Sequence, residues 1–265
     1  MKRLLGAARL GLFVALAQFA WGAFAGQTCE EKPLSVEDAR RAFSLALKVR
    51  EALDASGAEA VILGRVGQDL SSYGLRYSHA GIIWRDHPAG PWLAVHLLNE
   101  CGGNQSTLYN QGLANFFGDD LFAWDALILI PSPAVQKRLA ETLTGKAPHR
   151  MHQPLYNMVA YPFSTQYQNS NQWVLEVLAN ALAGERMATR AEAQKWLRQA
   201  KYQPSTLRIP TLTRLGGRMF KANVAFDDHP FDRRMAGQID TITVDSISQF
   251  LAQRDTGTTS QVVSY

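Results

Sequence analysis

Apolar positions along this chain switch between helical spacing and strand-like runs, and the switches mark its elements. Ser35 followed by Asp38 reads as a helix start, and Ala39, Phe43, Leu45, Leu47, Val49 and Leu53 continue with roughly helical spacing to a stop at Gly57. Ala60 to Val66 reads as a strand, and Gly67 to Arg76 as a polar loop. Residues 78–84 and 92–98 are rich in Ile, Val, Leu and Trp, with Asp86, Pro88, Gly90 and Pro91 between them, which predicts a hairpin. A loop with Gly and Asn follows, then a short apolar segment from Leu113 to Phe117 and a strand from Phe122 to Ile130. Pro131 ends that strand, and a helix is expected from about Pro133 to Leu143, stopping at Gly145. Residues 146–169 are polar and aromatic without a period, as in an ordered loop beside a cleft. From Ser170, the positions Trp173, Val174, Val177, Leu178 and Leu182 make the apolar face of a helix ending at Gly184. Thr189 and Glu192 have capping-box spacing for a helix carrying Trp196 and Leu197. Strands near 219–226 and 239–244, a short helix near 246–254 and a polar tail over 255–265, expected to be disordered, complete the reading.

The first residues change this picture. Lys2, Arg3 and Arg9, the apolar run Leu10–Trp21 and Ala23-Phe24-Ala25 before Gly26 have the three parts of a secretory signal peptide, expected over residues 1–25. The mature protein is then expected in the periplasm or secreted, with one domain over 26–254 and no transmembrane segment, because no other run approaches about 18 apolar residues. Removing residues 1–25 takes away three basic residues and no acidic one, leaving 24 Lys+Arg against 23 Asp+Glu and a formal charge of +1. No basic cluster remains for a nucleic-acid partner. Cys29 and Cys101 are the only two cysteines, and in an oxidising compartment they are expected to pair.

Chemistry centres on the hairpin, whose strands carry His79 and His96. If Trp84 faces Pro91, the two histidines lie directly across from each other on one face, and a one-residue slip would separate them. The plainer reading is a structural hairpin with two hydrogen-bonded histidines. Asp227-Asp228-His229 with Asp232 reads as an exposed turn, and no second cluster has zinc-like spacing, so no metal and no cofactor are expected. Asn104-Gln105-Ser106 reads as a loop, and His87, His149, His152 and His229 as solvated.

The strand Ser78-His79-Ala80-Gly81-Ile82, a second strand with His96, and the later helix start Asn169-Ser170-Asn171-Gln172-Trp173-Val174 together resemble the circularly permuted branch of the NlpC-type papain-like fold, which includes lecithin–retinol acyltransferase. The resemblance spans roughly residues 60–183. It implies an α+β fold in which a permuted papain-like core packs an antiparallel sheet against helices. It also implies His79 as general base, His96 as its orienter and Ser170 at the nucleophile position. The family has cysteine there. A helix N-terminus helps hold a thiolate, whereas a serine hydroxyl must lose its proton to the base during attack; Ser170 also suits a plain N-cap. The chain as a whole, including Tyr167-Gln168-Asn169-Ser170-Asn171-Gln172-Trp173, is similar to exported bacterial families known only as a domain of unknown function, which brings no activity. Two functions are therefore expected in competition. One is an amidase, peptidase or acyltransferase acting on a cell-wall peptide or acyl substrate; the other is a pseudoenzyme binding a peptide, glycan or acyl group in the same cleft.

Overall fold

Helix α1 (Val36–Ser56) begins where expected: the Ser35 side chain accepts from the Asp38 N–H, Glu37 and Asp38 favour the positive end of the helix dipole, and Gly57 at φ 65° closes the helix. The computed structural model describes residues 34–118 and 121–265, so the expected signal peptide and Cys29 lie outside the described residues. The buried stripe of α1 is Ala42, Leu45, Ala46, Val49 and Leu53, while Phe43 and Leu47 face solvent, a narrower stripe than its apolar positions suggest.

This stripe covers one face of a six-stranded sheet of order β4-β3-β2-β1-β5-β8, every neighbouring pair antiparallel. Its strands are β1 (Ala60–Val66), β2 (His79–Trp84), β3 (Leu93–Asn99), β4 (Ser106–Gln111), β5 (Ala123–Ile130) and β8 (Thr259–Ser264). Val61, Leu63, Ile83, Ala94 and Ile128 meet α1 and the short helix α2 (Leu113–Phe116). Their neighbours Ala60, Ile62, Ala80, Ile82, Val95 and Leu97 pack on the opposite side against Trp173, Val174, Val177 and Leu178 of α5 (Ser170–Ala183). Burial on both faces explains why β1 and β2 read as nearly continuous apolar runs.

Helix α5 is buried from Ser170 to Ala181. Around it pack α3 (Pro133–Thr144), α6 (Arg190–Gln199) and α9 (Val244–Arg254), with α4 (Ala147–Arg150) against α3. A second sheet pairs β6 (Ser205–Arg208) with β7 (Gln238–Thr241), beside α7 (Thr211–Phe220) and α8 (Phe231–Met235). The architecture is α+β, with helices on both faces of an antiparallel sheet. Among the described residues no helix is long and apolar enough to cross a membrane.

The short apolar segment after Gly112 is one helical turn, Leu113–Phe116. Three local expectations are corrected. Residues 219–226 are the end of α7 and a turn rather than a strand. Within the tail expected to be disordered, Thr259–Ser264 is an edge strand paired with β5, Asp125 opposite Ser264, and Lys48 Nζ donates to the Ser264 carbonyl. In the hairpin, Trp84 faces Leu93 rather than Pro91. The cause is Trp92, which stays in the turn at φ 58° with its buried indole N–H donating to Asp54 of α1 at 2.6 Å. The shift is two residues, so every side chain keeps its face.

Candidate active site

Because that shift preserves facing, His79 and His96 still meet, diagonally rather than directly across. Glycine at position 81 makes the diagonal possible: a Cβ there would lie 3.2 Å from the His96 Cβ and 3.1 Å from the Phe116 ring. The His96 ring occupies that space and edges onto His79, with centroids 5.1 Å apart.

The third member comes from α5. Asn169 is the N-cap, its side chain accepting from the Gln172 N–H at 2.7 Å. Ser170 is therefore the first helical residue and not the cap, which leaves its hydroxyl for other contacts. Asn171 Oδ1 accepts from the Ala80 N–H at 2.9 Å and its amide donates to the Ser78 carbonyl, tying the helix start to β2 on both sides of His79.

The resulting hydrogen bonds form one line. Ser170 Oγ lies 3.0 Å from His79 Nδ1, His79 Nε2 lies 2.8 Å from His96 Nδ1, and His96 Nε2 lies 3.0 Å from Gln111 Oε1 at the end of β4. With the Gln111 amide assigned oxygen-first toward the ring, that oxygen accepts, so His96 carries its proton on Nε2 and offers an unprotonated Nδ1 to His79. His79 then donates from Nε2, and its Nδ1 is left to accept the Ser170 proton. Gln111 lies in a stretch that reads as loop, and no feature of the sequence singles it out.

His79 and His96 are buried, and the His79 pKa lies well below the ordinary histidine value, first through desolvation and then through the nearby Arg65 and His96. Arg65 stands opposite His79 in the β1–β2 register, donates to the Phe116 carbonyl, and lies over the Phe116 ring. Burial pushes the pKa of the neighbouring Tyr156 phenol up to about 12, with Ser170 acting weakly against it, so the phenol stays protonated. The cavity over these groups, about 440 Å³, is lined by Arg65, Gln68, His79, Tyr156, Ser170 and Asn171 among others. Cys101 also lines it; the partner expected for it, Cys29, lies outside the described residues.

Behind the site, the buried Glu176 carboxylate receives Arg190 Nε at 2.7 Å, Gln168 Nε2 at 2.6 Å and Gln194 Nε2 at 2.8 Å. Arg190 also donates to the carbonyls of Thr165 and Tyr167, which fixes the loop before Ser170 onto α5 and α6. Among the described residues no group of three His, Cys, Asp or Glu side chains could hold a metal ion. His229, expected in solvent, is buried instead, with Nδ1 2.9 Å from Asp228 Oδ1 and Nε2 3.0 Å from the Asp240 carbonyl, and it clips the 226–230 turn to β7.

No curated protein and no solved structure matches the chain. A family model described as an uncharacterised protein conserved in bacteria matches residues 52–251, which hold His79, His96, Gln111 and Ser170. The chain belongs to that bacterial family, DUF2145.

Proposed function

We propose that the protein is an exported acyl-transfer enzyme, an amidase, peptidase or acyltransferase with a serine nucleophile, and that its core is the permuted papain-like one. The observation that carries this reading is the hydrogen-bonded line from Gln111 to Ser170, which, with the Gln111 oxygen turned to His96, leaves a His79 nitrogen 3.0 Å from the hydroxyl to accept its proton. That distance lies within the reach expected of a nucleophile and its base, about 2.6–3.2 Å.

In the reaction, Ser170 Oγ attacks a carbonyl carbon while its proton passes to His79 Nδ1. The new imidazolium keeps its Nε2 proton on His96 Nδ1, so the developing charge is shared with a polarised neighbour. The carbonyl oxygen, now anionic, would draw on the N–H groups at the very start of α5, ahead of the Gln172 N–H that Asn169 already holds. His79 returns the proton to the departing amine or alcohol as the bond from carbon to the leaving group breaks. Water or a second alcohol then takes the acyl group from Ser170 by the reverse proton path. A low His79 pKa keeps the ring neutral and ready to accept.

A fluorophosphonate probe tests the reading. Ser170 is expected to label in the intact protein and not after His79→Ala, with circular dichroism showing that the variant is folded. Ser170→Cys is expected to keep turnover of activated esters. Failure of Ser170 to label, with no hydrolysis of peptidoglycan fragments or acyl esters by either form, would leave the cleft as a binding site without catalysis.

A further inference from the structure

Beside the Ser170 cavity is a second one of about 270 Å³, under the helix α7. Gln68, Ser78, Met158 and Asn171 line both, so the two spaces adjoin along one boundary next to the proposed nucleophile. Beyond that boundary the walls are largely apolar, with Leu70, Leu75, Leu207, Ile209, Val224 and Phe226 among them, interrupted by Thr213, Thr241 and Thr243. Among the described residues, Lys221 is the one charged residue in the lining, and none of the others is a carboxylate.

We infer that this second cavity binds an aliphatic chain of the substrate, so that the bond attacked by Ser170 belongs to an ester or amide carrying a fatty chain. The inference rests on the acyl-transfer reading and narrows its substrate. A sugar would need several polar partners in a wall that is largely hydrocarbon. A single amino-acid side chain would leave much of the space empty. A methylene occupies about the ~30 Å³ that a water takes in the liquid, so the cavity holds roughly nine carbons.

The roof agrees with this. Helix α7 turns Thr213 and Gly217 toward the cavity and carries Leu212, Leu215 and Met219 outward, 82%, 56% and 65% exposed. An apolar outer surface on the helix that covers an apolar pocket suits a chain arriving from an apolar phase.

The test uses p-nitrophenyl esters from acetyl to dodecanoyl, with alkyl fluorophosphonates of matching lengths. The rate at limiting concentration is expected to rise about three- to four-fold per added methylene up to roughly eight or nine carbons and then level off. Gly217→Leu fills the roof, where a Cβ already meets Val224 at 3.4 Å, and is expected to flatten the series. Binding is read separately as displacement of a fluorescent fatty acid by decanoate from Ser170→Ala protein, expected to weaken at least tenfold on adding Gly217→Leu. Labelling that ignores chain length, together with no displacement, would overturn the chain site while leaving the Ser170 chemistry standing. Displacement without labelling or turnover would keep the chain site and remove the enzyme. Activity on dispersed decanoyl ester supports the site with a soluble substrate, and activity confined to phospholipid vesicles supports it with a bilayer source.

Discussion

Acidification should unfold this protein in a way that can be traced to one ring. His79 is buried, and its folded pKa is well below the value near 6.5 that it has in the unfolded chain. A depressed folded pKa means that the unfolded state takes up the proton first. The stability contributed by the neutral ring is therefore complete above about pH 6.5 and falls as pH drops toward the folded pKa. While the folded ring stays neutral, the loss grows by on the order of 1 kcal/mol for each pH unit below 6.5. The measurement is urea unfolding of the intact protein and of His79→Gln between pH 7.5 and 5, because the difference between the two curves cancels the titrating groups that do not touch His79. That difference should be level above pH 7 and should shrink by the stated amounts below it. Fluorophosphonate labelling of the folded protein should persist through pH 6, since the same low pKa keeps His79 able to accept a proton. A difference that stays flat to pH 5, or labelling that fades with a midpoint at or above 6.5, would refute the buried neutral base.

Gly81→Ala should cost about 1–3 kcal/mol through overpacking against His96 and Phe116. Under conditions where it is fully folded it should still label slowly, and wild-type labelling would show that the glycine is not what lets the rings meet. Arg190→Met should cost about 3–5 kcal/mol in urea unfolding, because it leaves the buried Glu176 carboxylate without its cation; a loss below 1 kcal/mol would refute that account. Cys29 and Cys101 are proposed to be linked in exported protein, which unreduced peptide mass spectrometry would show as one joined fragment. A freely alkylated Cys101 would rule the bridge out.

The elements of the site were legible where local chemistry is strong. Two apolar runs with a Pro/Gly turn between them read as a hairpin, and even a wrong register left His79 and His96 on one face because it was wrong by an even number. The register itself was hidden. It depends on Trp92 docking against Asp54, a contact 38 residues apart that no local pattern encodes. The role of Ser170 was equally ambiguous, since Asn169 and Ser170 are both good caps and only the fold decides which one turns its side chain inward. Gln111 left no trace in the sequence because β4 alternates weakly beside loops. The strand at Thr259–Ser264 was missed because most of its side chains face solvent, and its place is fixed by the backbone of β5.

The separation between His79 and Ser170, 91 positions along the chain, also bears on how the protein reaches its working state. Neither half of the site can be completed by its own neighbourhood: β2 must pair on both sides, and α5 must dock across it through Asn171. Contacts of such long range form only after costly loop closures, so topologies of this kind fold slowly. Reactivity at Ser170 should therefore be among the last properties to appear during refolding, later than helix content. If the chain is exported as proposed, it would cross the membrane with an inert hydroxyl, which becomes reactive once the sheet has assembled on the far side.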